Sequence, residues 1–119
     1  MFIQTDQLHP KTYDRLWDGE GTIKSTRVLE NLFGSAIKVI AINRIPPGAS
    51  IGRHRHENEE DCYFCLSGKG IVSDNGVEHP FVPGSLQITR HGETQAIRNS
   101  GDEDLVVFVF LIAAMPPNK

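Results

Sequence analysis

Residues 48–70 read GASIGRHRHENEEDCYFCLSGKG, and within them His54, His56 and Asp61 stand at a spacing on which the reading of the whole chain turns. Side chains at i and i+2 on a β-strand leave the same face, so an extended His54-Arg55-His56 sends both imidazoles into whatever that face covers. Asp61 follows across the polar run Glu57-Asn58-Glu59-Glu60, which reads as a turn, and opens a second strand-like run at 61–67. A hairpin of this form returns a carboxylate beside the imidazoles. Two neutral imidazoles and one carboxylate suit Fe(II), Mn, Ni or Zn and leave positions open for water or substrate. The plainer alternative is a solvated hairpin end whose histidines and acids share no target.

Working outward, β-rich runs at 22–29 and 36–44 (AIKVIAINR) lead into the Pro46-Pro47-Gly48 turn. Runs at 70–72 and 77–82 flank Ser73-Asp74-Asn75-Gly76, and Asn-Gly accepts the positive φ that a tight hairpin needs. Pro83-Gly84 marks the next turn. Three further strands are expected at 85–89, 95–99 and 104–112, separated by His91-Gly92-Glu93 and Ser100-Gly101-Asp102. Short, closely spaced strands with almost no long helical pattern predict an all-β antiparallel sandwich or barrel. Residues 22–114 form this body. Residues 1–21 read as a short N-terminal extension, in which Tyr13, Leu16 and Trp17 have helical spacing over a single turn, and residues 115–119 as a C-terminal tail.

At 119 residues the chain is one domain with a single core. A net charge of −3 and a pI near 5.9, without a lysine or arginine run, give no electrostatic footprint for nucleic acid or an anionic membrane. The segment 105–114 (LVVFVFLIAA) is apolar throughout but about half the length a bilayer crossing needs, so it reads as a buried strand. The start, MFIQTDQLHP, has neither the basic nor the apolar region of a secretory signal, and a cytoplasmic location is expected. Cys62 and Cys65 form a Cys-x-x-Cys spacing. On a strand their Cα atoms lie roughly 10 Å apart with side chains on opposite faces, beyond disulfide reach, so both read as thiols.

Gly48, His54-x-His56, Asp61 and Gly68 together resemble the first signature motif of the cupin family, and Pro83-Gly84 with Gly92 to Asn99 resembles the second. The family's third histidine ligand falls on Gln95, its usual proline on Arg90, and its usual glutamate on Asp61. Glu60 competes for the acidic role, although it takes the opposite strand face. Over about residues 20–112 the order of elements is similar to that of small single-domain bacterial cupins described as oxalate-decarboxylase-like. The resemblance implies a double-stranded β-helix, or jelly-roll barrel. It also implies a divalent metal held by His54, His56, Asp61 and the Gln95 position, and a small oxygen-rich substrate such as an organic acid or sugar derivative. Decarboxylation, dioxygenation, isomerisation and elimination all fall within that class, and a homodimer is the expected assembly.

A glutamine carbonyl still coordinates a hard or borderline metal, as a neutral and weaker donor than imidazole. Gln95 therefore reads either as a fourth ligand or as a hydrogen-bonding group inside the barrel. His91 lies in a turn outside the strand whose inward parity is Gln95, Ile97 and Asn99, while His79 and His9 read as surface groups. Glu57, Glu59 and Glu60 are most simply a solvated acidic turn. Tyr63, on the inward parity of Asp61, is the acid–base candidate, with Arg90 or Glu93 at the mouth. The competing function is a non-catalytic cupin that binds a small molecule through a weakened or lost metal site.

Overall fold

A computed structural model describes residues 1–30 and 36–114; the expected tail at 115–119 lies outside the described residues. The strands are β1 (Lys11–Asp14), β2 (Thr22–Glu30), β3 (Ile37–Ile45), β4 (Ser50–Arg55), β5 (Glu59–Ser67), β6 (Gly70–Asp74), β7 (Val77–Phe81), β8 (Leu86–Thr89), β9 (Thr94–Asn99) and β10 (Leu105–Ala113). They build two antiparallel sheets, β1-β2-β3-β10-β5-β8 and β4-β9-β6-β7, which close face to face as the expected jelly roll. Among the described residues no helix is long and apolar enough to cross a membrane.

The last strand organises the larger sheet. β10 pairs with β3 on one side and β5 on the other, and its inward residues Leu105, Val107 and Val109 are buried. Ile45, Phe81, Cys65 and Ile97 join them in one cluster between the sheets. Burying a valine, leucine or isoleucine contributes about 1.5–3 kcal/mol each, so this cluster is the main source of stability. Toward the other end of the barrel the interior turns polar: His54, His56, Asp61, Gln87, Thr89 and Gln95 are all buried.

Two local devices position that polar end. The hairpin joining β6 to β7 turns at Asn75 (φ 49°) and Gly76 (φ 92°), both in the left-handed region, as a two-residue hairpin loop requires. On β4 the register against β9 passes from Ile51↔Ile97 to His54↔Gln95, so three steps on one strand match two on the other. This bulge lets Ile51 and His54 both face inward although they are an odd number apart.

The leader contributes more than the single turn read from its sequence. Lys11–Asp14 adds a strand to the edge of the larger sheet, with Lys11 opposite Ser25 and Asp14 opposite Thr22. Leu16–Asp18 is indeed one turn, tied down on β4 where Ser50 N–H donates to Glu20 O at 2.8 Å and Glu20 N–H donates to Ser50 Oγ at 2.8 Å. Arg15, Trp17 and Asp18 all take positive φ there, each a strained conformation for a residue with a Cβ. The turn seats only because Gly52 has no side chain, since a Cβ at that position would overlap the Trp17 carbonyl oxygen. Gly52→Ala is expected to lower stability by roughly 1–3 kcal/mol and to unseat the turn, read as a lower melting temperature together with faster proteolytic cleavage before residue 22.

Candidate metal centre

The β4 bulge, the β4–β9 pairing that sets His54 opposite Gln95, and the crossing of the chain from β4 to β5 in the facing sheet bring the sequence-predicted residues together. Donor atoms of His54, His56 and Asp61 lie within 4.8 Å of one another. Gln95 Oε1 sits 3.1 Å from His54 Nε2 and 2.7 Å from His56 Nε2, and His56 Nε2 is 3.3 Å from Asp61 Oδ2. Glu60 alternates away, pairing with Ile112 across the ladder while Asp61 pairs with Leu111. Tyr63 is buried one inward step from Asp61 and lines the cavity before it.

The protons around this cluster are fixed by groups that can only accept. Gly52 O accepts from His54 Nδ1 at 2.8 Å, and the Glu59 carboxylate accepts from His56 Nδ1 at 2.8 Å. Each neutral ring then carries its lone pair on Nε2, the tautomer a metal ligand needs. The amides are oriented in the same way. Asp74 accepts from Gln87 Nε2 at 3.2 Å, which turns Gln87 Oε1 toward Gln95 Nε2 at 2.9 Å and so points Gln95 Oε1 at the imidazoles. Thr89 Oγ1 accepts a second bond from Gln87 Nε2 at 2.7 Å.

The result is a set of electron pairs facing one another: two imidazole nitrogens, an amide oxygen and a carboxylate. Asp61 Oδ1, moreover, is buried without a hydrogen-bond partner. Such a set is repulsive unless a cation lies among its members, and its nitrogen and oxygen donors fit a borderline divalent metal. In the metal-free protein the cation is a proton. Burial opposes charge on His56, but Asp61 and Glu59 outweigh it and raise its pKa to about 9. Burial, aided by the neighbouring His56, pulls His54 below its ordinary value.

Glu59 departs from the solvated acidic turn expected of it. It is half-buried between His56 and Lys38, whose Nζ donates to Glu59 Oε2 at 2.6 Å. Burial works against its ionisation, and Lys38 and His56 more than offset this, holding the carboxyl below its usual range. Glu57 is exposed as expected and pairs with Arg55 at 2.8 Å. Burial, then Asp61, pushes the Tyr63 hydroxyl well above its ordinary value, so it stays protonated.

Several residues stay out. His91 accepts from Asn58 N–H in an exposed turn, and His79 and His9 are exposed. Glu93 Oε1 accepts from Arg90 N–H at 2.9 Å within that same turn, and neither residue lines the cavity. Asn99 serves the fold, donating to Ile45 O and Glu103 O and accepting from Gly101 N–H. Both cysteines are free thiols, Cys65 inward and buried, Cys62 half-buried. Trp17, which the sequence did not mark as functional, stacks on His54 with ring centroids 5.2 Å apart and planes 13° from parallel. Only its place beside Leu16, in a segment with no clear strand pattern, hinted that it packs on anything.

A raised pKa stabilises the fold in full where the group is protonated in both the folded and the unfolded chain, and the contribution fades as pH rises through the folded value. For His56 the contribution is complete below pH 6.5 and is lost as pH rises through about 9. Metal-free protein is therefore expected to lose up to about 3 kcal/mol across that window, at 1.36 kcal/mol per pKa unit. Urea melts at pH 6 and pH 9.5 measure this, and His56→Asn is expected to flatten the difference.

The cupin domain pattern matches residues 41–111. An oxalate-binding protein of Thermotoga maritima is 29% identical over 113 residues, covering 94% of this chain and 93% of that one. The crystal structure of a predicted oxalate decarboxylase from Thermotoga maritima superposes with a TM-score of 0.91 at 29% identity, over 95% of this chain and 99% of the other. KdgF from Halomonas sp., at 16% identity and a TM-score of 0.76 over 94% of both chains, shares the fold. With the pattern spanning more than half its length, this chain belongs to the cupin family.

Proposed function

We propose that the protein holds a divalent metal, Fe, Mn, Ni or Zn, at His54, His56, Asp61 and Gln95 and uses it to act on a small oxygen-rich acid. The observation that carries this reading is the inward convergence of two imidazole nitrogens, an amide oxygen and a carboxylate beside an open cavity, with Asp61 Oδ1 left without a partner among the described residues. The oxalate-binding relative supports a carboxylate ligand. When bound, the cation supplies Lewis-acid polarisation of the ligand's oxygens. Tyr63, held protonated, donates a hydrogen bond or proton to the ligand and does not serve as the base. Val109 and Ala41 make the facing wall apolar, and Trp17 covers one side of the His54 ring. Decarboxylase, dioxygenase and isomerase or lyase chemistry all remain within this reading.

One observation favours a non-catalytic binder instead: the neutral amide of Gln95 stands where a third imidazole would donate more strongly. Elemental analysis of protein purified without chelator or nickel resin is expected to find near-stoichiometric metal, abolished in the His54→Ala, His56→Ala double variant. Gln95→His is expected to tighten metal binding, and no change would count against the glutamine as a ligand. With metal present, CO₂ release or O₂ uptake against a panel of acids separates an enzyme from a binder, which gives neither.

For assembly we propose a homodimer through the outer face of the larger sheet. Across the ladder, Ile42, Phe108, Phe64 and Leu86 lie side by side, with Ile40, Phe110, Cys62 and Ile88 in the next row. No element among the described residues covers the β5–β8 end, where Leu86 is 59% exposed. A flat apolar face of this kind is self-complementary about a two-fold axis. Light scattering on a sizing column is expected to give a dimer, and Phe64→Glu with Leu86→Glu a monomer.

A further inference from the structure

The cavity before the metal centre has a volume of about 390 Å³, far more than an acid as small as oxalate fills. Its lining extends across the inner face of the larger sheet. From Tyr63 on β5 the ladder passes to Val109 on β10, Ala41 on β3 and Arg27 on β2, each residue the registered neighbour of the next. Three strand spacings place Arg27 about 14 Å from Tyr63 along the sheet. Beside Arg27, Ser25 and Asn43 form the adjoining registered pair.

With a divalent metal bound, both ends of this cavity carry positive charge. Arg55, the other cation on its lining, is committed to Glu57 at 2.8 Å. Among the described residues Arg27 has one ion pair, a 3.6 Å contact to the Glu30 carboxylate that is partly exposed on both sides and hence weak. Asn43 is 9% exposed and lines the cavity, and its Oδ1 is buried with no hydrogen-bond partner. Such an atom costs stability unless something supplied from the cavity meets it. A divalent cation set against Asp61 leaves one positive charge at the near end, and Arg27 adds another at the far end. Between them the wall is the carbon surface of Val109 and Ala41.

We propose that Arg27, with Asn43 and Ser25 beside it, is the distal carboxylate subsite, and that the ligand is an extended diacid rather than a two-carbon one. One end, a carboxylate with an adjacent keto or hydroxyl oxygen, meets the metal at His54, His56 and Asp61. A carbon chain crosses Val109 and Ala41, and the second carboxylate pairs with the Arg27 guanidinium, while a hydroxyl of the ligand beside it donates to Asn43 Oδ1. After the reach of an extended arginine and of the metal ligands is taken off, a diacid of about four to six carbons spans the gap. This inference rests on the metal reading above.

The experiment is calorimetric titration of metal-loaded protein with a matched pair, 2-oxoglutarate and 2-oxopentanoate, which share the chelating end and differ in the distal carboxylate. Oxalate is the short reference and elemental analysis the control for metal. A charge-assisted pair is expected to make 2-oxoglutarate bind about tenfold or more tightly than 2-oxopentanoate. Arg27→Gln is expected to bring that ratio near one while oxalate changes little. Arg27→Lys, which keeps the charge without the planar fork, is expected to retain part of it. A ratio near one in the parent protein, or a parent-like ratio in Arg27→Gln, overturns the subsite and leaves the metal reading intact so long as metal and oxalate still bind. Protein that holds no metal overturns the reading beneath, and the subsite falls with it.

Discussion

A carboxylate without a proton can only accept hydrogen bonds, and that restriction, entering at Asp74, sets the polarity of the barrel's interior. Asp74 takes the Gln87 amide nitrogen, Gln87 turns its oxygen to Gln95, and Gln95 presents its own oxygen to two imidazoles. Gly52 and Glu59 impose the same direction from behind the rings. No member of the relay can reverse alone, because a flipped amide would set oxygen against oxygen or nitrogen against nitrogen. The centre is thus held electron-rich by groups on five strands, and a cation is the component its geometry requires.

That arrangement costs stability, since buried polar groups return less on folding than the apolar ones they displace. The cost is confined to one end. The opposite end is filled by Ile45, Leu105 and Phe81, with β10 inserted between β3 and β5 so that its inward face is fully covered. The outward face of the same strand is apolar as well, which is why the larger sheet carries side chains fit to meet another protein surface. A strand hydrophobic on both sides serves the core and, in the proposed dimer, the interface as well.

Much of this was legible in the sequence because it depends on local rules. Short β-rich runs bounded by turn residues located the strands from residue 22 onward, Asn75-Gly76 marked its hairpin, and the i, i+2 relation put both imidazoles on one face. The inward parity of Asp61, Tyr63 and Gln95 followed from the same rule. What escaped depends on distant neighbours. Lys11–Asp14 is exposed over most of its length and has no alternation to betray it, so only its pairing with β2 makes it a strand. Glu59 looked like a surface acid because nothing local shows that Lys38, far back in the chain, reaches it. The β4 bulge leaves no mark beyond a glycine, and the Gln87–Gln95 relay joins residues whose proximity is a property of the closed barrel. Trp17 was hidden for a further reason: its turn is strained and is held by Gly52, a residue on another element.

The stacking of Trp17 on His54 has a consequence for how the molecule is observed. It is the only indole in the chain, and its ring lies in van der Waals range of a proposed ligand. Emission from that chromophore therefore originates almost entirely at the centre. An open-shell ion such as Cu(II) or Ni(II), entering beside the imidazole, lies close enough to quench it, whereas closed-shell Zn(II) does not. The chain thus carries an optical probe of its own site, one that distinguishes classes of ion without any label being attached.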